Sequence, residues 1–233
     1  MSETPPISRC DAPLTVLQLD TVFPRVAGDV ASPDTYQTPI AIKKIDQASV
    51  AAVVTAAPDQ TNISKFEQAC GDIHHGIGVT SCGFLGYWQD HLNSICPAPF
   101  IASSLVDLPH WQGLHGDGEL AIVTFDDAVL STPLYEGLRS GFHGAVIGLS
   151  PDMHLRQVIS QDRPELDQPR AEQEMLDLLT PYLAAGPIKA LVLECTNLPP
   201  YKAAIKSRFD VEVYDILTCI HNRDPNVVKP EFL

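Results

Sequence analysis

The chain reads as an α/β protein built from two similar lobes, each a parallel sheet flanked by helices, with the two related by a duplication and the active site between them. Two observations predict this. Short apolar runs alternate with stretches of helical spacing, the pattern of strands covered by helices. The order strand–Asp, helices, strand–Cys–helix also occurs twice, at Asp20 with Cys82 and at Asp126 with Cys195. The two intervals are similar, 82 − 20 = 62 and 195 − 126 = 69 positions.

The elements follow in order. Residues 1–13 are polar and Pro-rich with little to bury, and are expected to be a flexible tail. Residues 14–19 (Leu-Thr-Val-Leu-Gln-Leu) form a strand ending at Asp20. Residues 23–39 make a long loop containing Pro24, Gly28, Pro33 and Pro39, of the kind that serves as a lid or binding loop. Residues 40–45 are a second strand, and the Ala/Val-rich stretch 46–57 stops at Pro58. Helical spacing over 61–70 has Asn62 as its N-cap. A strand at 77–80 leads to Cys82, helical spacing resumes over 84–95, and 100–103 is a short strand. The second lobe opens with the strand 120–124, followed by Phe125, Asp126 and Asp127. A Gly-rich turn and strand run to Leu149. Residues 171–183 form an amphipathic helix that stops near Gly186. The strand 188–193 precedes Cys195. A helix over 201–209 starts after Pro199 and Pro200, and 211–214 is the last strand. The organisation is therefore a tail at 1–13, a first lobe at 14–112, a second at 113–217, and a C-terminal segment, 218–233, packing on the lobes.

Composition narrows the function. The chain has 233 residues and a net charge of −14. It lacks the basic face that a nucleic-acid backbone or an anionic membrane requires. None of the six cysteines forms a Cys-x-x-Cys or zinc-like spacing, so no metal site is expected. There is no signal-peptide pattern and no apolar run of about 20 residues, which points to a reducing cytoplasm with free thiols.

Ligands of parallel sheets sit beyond the carboxyl ends of the strands, where Asp20, Cys82, Asp126 and Cys195 all fall. Two thiols facing one cleft can remove a proton from one face of a carbon and return it to the other. Each thiol precedes a helical stretch whose N–H groups stabilise a thiolate, and each has a candidate orienting group, Asp20 for Cys82 and Asp126 or Glu194 for Cys195. Arg25 reads either as a grip on a substrate carboxylate or as a loop charge, solvated or linked to Asp29, and Ser81 and Thr196 are further candidate donors. Cys10, Cys70, Cys96 and Cys219 read as tail or packed thiols, and Tyr87 and Trp88 as core. The histidines have no metal-like spacing, and the glycines of 141–148 lack a phosphate-binding pattern.

These residues carry a resemblance. Thr80-Ser81-Cys82, Leu193-Glu194-Cys195-Thr196, the aspartate after the first strand and the paired lobes resemble the aspartate/glutamate/hydantoin racemase superfamily over residues 14–217. The resemblance implies that the substrate lies between the lobes, that Cys82 and Cys195 are opposed acid and base, that no cofactor is needed, and that the protein is a homodimer. Amino-acid racemases of the family follow the first cysteine with Asn-Thr and the second Cys-Thr with His or Glu. This chain has Gly83-Phe84 and Asn197 there. Those substitutions, with Phe23-Pro24-Arg25, Gly28-Asp29 and Pro199-Pro200-Tyr201, are similar to a divergent branch that includes the algal dimethylsulfoniopropionate lyases. The expected activity is racemisation or epimerisation of a small carboxylate. Two alternatives remain: elimination of dimethyl sulfide on the same scaffold, or binding of a small anion without catalysis. Gly83, Phe84, Thr196 and Asn197 join Arg25 and Ser81 as expected substrate contacts.

Overall fold

The computed structural model describes residues 12–184 and 186–233. Most of the expected 1–13 tail lies outside them. Its last two residues belong to the fold: Ala12 is buried, and the Pro13 carbonyl accepts from Ile77 N–H.

The first sheet holds β1 (Leu14–Leu19), β2 (Ala41–Ile45), β3 (Ile77–Thr80) and β4 (Phe100–Ile101), in the order β2-β1-β3-β4. The second holds β5 (Leu120–Thr124), β6 (Ala145–Gly148), β7 (Ala190–Leu193) and β8 (Glu212–Tyr214), in the order β6-β5-β7-β8. Every pairing is parallel. The two lobes thus repeat one topology. Val16 sits between Ile42 and Val79 in the first sheet, as Ile122 sits between Val146 and Val192 in the second. The central strands are buried on both faces, which is why β5 and β7 read as continuous apolar runs rather than as alternations.

Among the described residues, ten α-helices accompany the sheets: α1 (Val50–Val53), α2 (Ser64–Gly71), α3 (Gln89–Ile95), α4 (Leu108–His115), α5 (Asp127–Leu130), α6 (Glu136–Arg139), α7 (His154–Ser160), α8 (Gln168–Leu183), α9 (Lys202–Arg208) and α10 (Ile216–Arg223). Sequence periodicity locates α2, α3, α8 and α9 to within a few residues. It misses the four-residue helices, which are too short for a period to register, and also α4, α7 and α10. Asn62 is not the N-cap of α2. Its Oδ1 accepts from the N–H of Ser64, the first residue of α2, and Ile63 takes the N-cap position. The helix expected directly after Cys82 divides into a 3₁₀ turn, Gly83–Trp88, and then α3.

The lobes are tied together by polar contacts between strand ends. Ser104 Oγ donates to the Leu193 carbonyl at 2.9 Å, and Thr196 Oγ1 donates to the Ser81 carbonyl at 2.7 Å. The C-terminal segment runs back across the first lobe. Arg223 pairs with Asp107 at 2.9 Å, and Val228 bridges to Tyr36. Among the described residues, no helix is long and apolar enough to cross a membrane.

Candidate active site

β3 and β7 end side by side where the lobes meet, and each is followed by its cysteine. Cys82 and Cys195 line one cavity together with Leu19, Phe23, Val50, Val54, Ser81, Gly83, Phe84, Phe125, Ile159, Glu194, Thr196 and Asn197. The cavity volume is about 20 Å³, room for little more than one water molecule. Apolar side chains close it from both lobes. Val50 and Val54 flank α1, which contacts α7, the helix that carries Ile159. The 23–39 loop supplies Phe23, and Val22 and Phe23 N–H both donate to Asp162 of the other lobe, at 2.7 and 3.1 Å. The same loop meets the second lobe at Gly28. Its φ is +97°, and a Cβ there would stand 2.7 Å from the Pro200 Cα, so both the conformation and the space call for glycine.

Burial is the main influence on both thiols. It pushes Cys82 up to about 12, with Glu194 adding to the rise, while the Phe84 and Leu85 N–H groups and Arg25 favour the thiolate. Cys195 is held well above the ordinary thiol range by burial and Glu194, with Asp29 contributing, and only Asn197 N–H opposes them. Two N–H groups and Arg25 favour a thiolate at Cys82 and one N–H does so at Cys195, and each thiolate disfavours the other, since Cys82 adds to the rise at Cys195. The N–H groups come from tight turns rather than from long helices, since α9 begins at Lys202, seven residues after Cys195. A neutral alkylating reagent should react with both thiols far more slowly than with free cysteine at pH 7.5, because the thiolate is the nucleophile. Mass spectrometry of the labelled protein checks this, and free-cysteine rates at either position would contradict it.

Ser81, Gly83, Phe84, Thr196 and Asn197 all reach the cavity as expected. Arg25 does not line it. Its guanidinium lies over the Phe23 ring and pairs with Asp29 at 3.3 Å, which leaves a buried ion pair. Asp29 also accepts from Ala31 N–H and from Asn197 Nδ2 at 2.5 Å. Because a carboxylate only accepts, this contact turns the Asn197 amide so that Oδ1 faces the Cys195 thiol, 3.8 Å away.

Neither strand-end aspartate lies against a thiol. Asp20 is 37% exposed, bonds Lys44 at 3.0 Å and accepts from Gln47 N–H, holding the turn after β2. Asp126 caps α5 by accepting from Val129 N–H at 2.9 Å, and pairs with Arg156, which covers the Phe125 ring. Asp20 sits one position and Asp126 two positions past its strand, but neither lines the cavity. Asp126→Ala should cost about 1 kcal/mol of stability as a lost N-cap, measured by urea unfolding. A much larger loss would mean that the Arg156 pair holds the lobe together.

Glu194 carries more weight here than its sequence position suggests. It is fully buried in the cavity wall, with Oε2 accepting from Thr124 Oγ1 at 2.7 Å and Oε1 without a partner. An acid ending an otherwise apolar run (Leu-Val-Leu-Glu) is the signal that marks it.

Known proteins resemble this chain in fold and in sequence. Glutamate racemase RacE1 from Bacillus anthracis superposes with a TM-score of 0.58 over 94% of this chain and 85% of its own, at 14% identity. The fold is that of the racemases. No family model matches the chain. In sequence, the racemase-fold chain is similar to dimethylsulfoniopropionate lyases. It is 25% identical to lyase 3 of Emiliania huxleyi over 223 residues, covering 90% of this chain and 58% of that one. It is 26% identical to the Durusdinium sp. clade D enzyme over 222 residues, covering 88% and 72%. The chain thus spans somewhat over half the length of its Emiliania relative. Its scaffold is racemase-like, while its sequence is similar to those of lyases, and together they support an enzyme.

Proposed function

We propose that this protein removes the proton next to a carboxylate with Cys82 as base, and that its reaction is the elimination of dimethyl sulfide from dimethylsulfoniopropionate. The observation that carries the reading is that both thiols line one small cavity at equivalent strand ends of the two lobes, whose apolar side chains must part to admit a substrate. In the proposed step Cys82 thiolate takes the proton from the carbon beside the carboxylate. The electron pair of that C–H bond forms the carbon–carbon double bond. The carbon–sulfur bond breaks towards sulfur, releasing neutral dimethyl sulfide and leaving acrylate. No cofactor is required by this step.

Two features favour a substrate with an onium group. A thiol pushed up to about 12 in a dry cavity needs a positive charge beside it to ionise, and the sulfonium brings one. The lining from Leu19, Phe23, Val50, Val54, Phe84, Phe125 and Ile159 also offers methyl groups an apolar surface.

The equivalence of the two cysteines favours a second reading, racemisation or epimerisation of an amino-acid-like carboxylate, with Cys195 as the opposing acid. Headspace detection of dimethyl sulfide after incubation with dimethylsulfoniopropionate tests the first reading. Solvent deuterium entering the α-carbon of amino or hydroxy acids, without sulfide release, would replace it with the second.

A further inference from the structure

The cavity presents a problem of charge. A carboxylate substrate must enter a space lined by Glu194 and by no lysine or arginine. Arg25 and Arg156 lie behind the Phe23 and Phe125 rings, each already paired with an aspartate. Two of the lining's polar side chains have their hydrogens engaged, the Thr196 hydroxyl by the Ser81 carbonyl and the Asn197 amide by Asp29, while Ser81 Oγ accepts from Leu19 N–H. Glu194 differs. Oε2 has its bond from Thr124, while Oε1 is buried and bare. Oε1 lies against Gly83, where a Cβ would stand 2.2 Å away, so only glycine admits the carboxyl at this place. An ionised carboxylate with an unpartnered oxygen in a dry cavity is costly, whereas the acid is much less so. Burial accordingly pushes Glu194 up to about 7, against the Thr124 hydroxyl and Phe125 N–H.

We infer that Glu194 acts as a neutral carboxylic acid, donating an O–H bond from Oε1 to the carboxylate of the bound substrate, where negative charge gathers as the α-proton leaves. The inference rests on the cavity being the substrate site. Glu194 keeps its proton throughout, so no bond to the substrate is made or broken by it. A protonated carboxyl in an apolar site is a strong donor to a developing oxyanion, and it lets an acidic chain bind an acid without a cation in the wall. The other titratable groups facing Glu194 are Cys82, Cys195 and Tyr135. Burial holds all three far above neutrality, so Glu194 is the one among them that changes charge near pH 7.

Calorimetric titration with propionate, a carboxylate that cannot undergo the elimination, tests this on wild type, Glu194→Gln and Glu194→Ala between pH 5.5 and 8.5. Wild-type affinity should fall steadily above about pH 7, as the donor is lost and a like charge appears. Glu194→Gln, whose amide donates at every pH, should bind with little pH dependence. Glu194→Ala should bind about tenfold to a hundredfold more weakly than wild type at pH 6. Thermal melts supply a readout independent of ligand. The folded pKa is raised, so the unfolded chain ionises first. Wild-type stability relative to Glu194→Gln should decline as pH rises from about 4.5, and level off above about 7. Wild-type affinity that is flat or rises with pH, Glu194→Gln binding as weakly as Glu194→Ala, or no propionate binding at all would overturn the inference. So would tighter binding of trimethylsulfonium than of propionate at pH 6, which would make Glu194 an ionised partner for a cation where it should be neutral. Release of dimethyl sulfide is scored separately. The expected propionate pattern without any release would leave Glu194 in this role and remove the lyase reading.

Discussion

Cys82→Ser should lower dimethyl sulfide release by about 10²–10⁴-fold, the contribution of a positioned acid–base group, while leaving the fold intact. Serine fits the same space, but its hydroxyl is a far weaker acid than a thiol, so the cavity would hold no usable base. The turn after Cys82 is the reason for the direction. The Phe84 and Leu85 N–H groups and Arg25 favour the ionised sulfur of Cys82, whereas Cys195 has a single such N–H; Glu194 opposes ionisation at both. Cys195→Ser should therefore cost elimination less than Cys82→Ser. Steady-state rates of both variants, with circular dichroism as the folding control, decide the matter. Equal and near-complete loss in both would point to a two-base exchange reaction. A Cys82→Ser enzyme with wild-type turnover would remove the thiol mechanism altogether.

Asp29→Ala is expected to destabilise the protein by about 3–5 kcal/mol, the usual cost of stripping one partner from a buried ion pair. The substitution leaves the Arg25 guanidinium buried without its counter-charge, with Nε already unpartnered, and frees both Ala31 N–H and the Asn197 amide. The double variant Arg25→Met/Asp29→Ala should recover much of that loss, because it removes the uncompensated charge. Urea midpoints of the two single variants and the double variant form the cycle that measures the coupling. A single Asp29→Ala variant within 1 kcal/mol of wild type would show that this chain of contacts does not hold the loop. In a destabilised but folded Asp29→Asn variant, the Asn197 amide is free to turn its nitrogen towards Cys195.

Much of this architecture is legible in the residues because it is local. β5 and β7 are apolar runs bounded by polar residues, and α8 carries an apolar stripe. The two cysteines fall at the same point of a repeated pattern, and that repeat is enough to place both at the meeting edge of the lobes. Thr196 and Ser81 also came with their cysteines, since a strand end carries its neighbours with it. Side-chain direction is a different matter. Asp20 and Asp126 hold equivalent places in sequence, yet one grips Lys44 and the other caps α5 and holds Arg156. Arg25 reads equally as a substrate clamp or as a loop charge linked to Asp29, and the packed structure pairs it with Asp29.

The linear order of apolar, polar and cysteine residues by itself determined two parallel sheets, their duplication and the position of the thiols, because strand and helix periods depend on neighbours along the chain. Only the tertiary structure decided which charges are spent on one another, that Glu194 stands buried against Gly83, and that Val50, Val54, Phe23 and Ile159 close the cavity. Those outcomes depend on contacts between residues from 4 to about 170 positions apart, Arg25 with Asp29 and Asn197 with Asp29 among them. Burial, which sets the cost of each charge, belongs to the packed lobes and not to any segment of the chain.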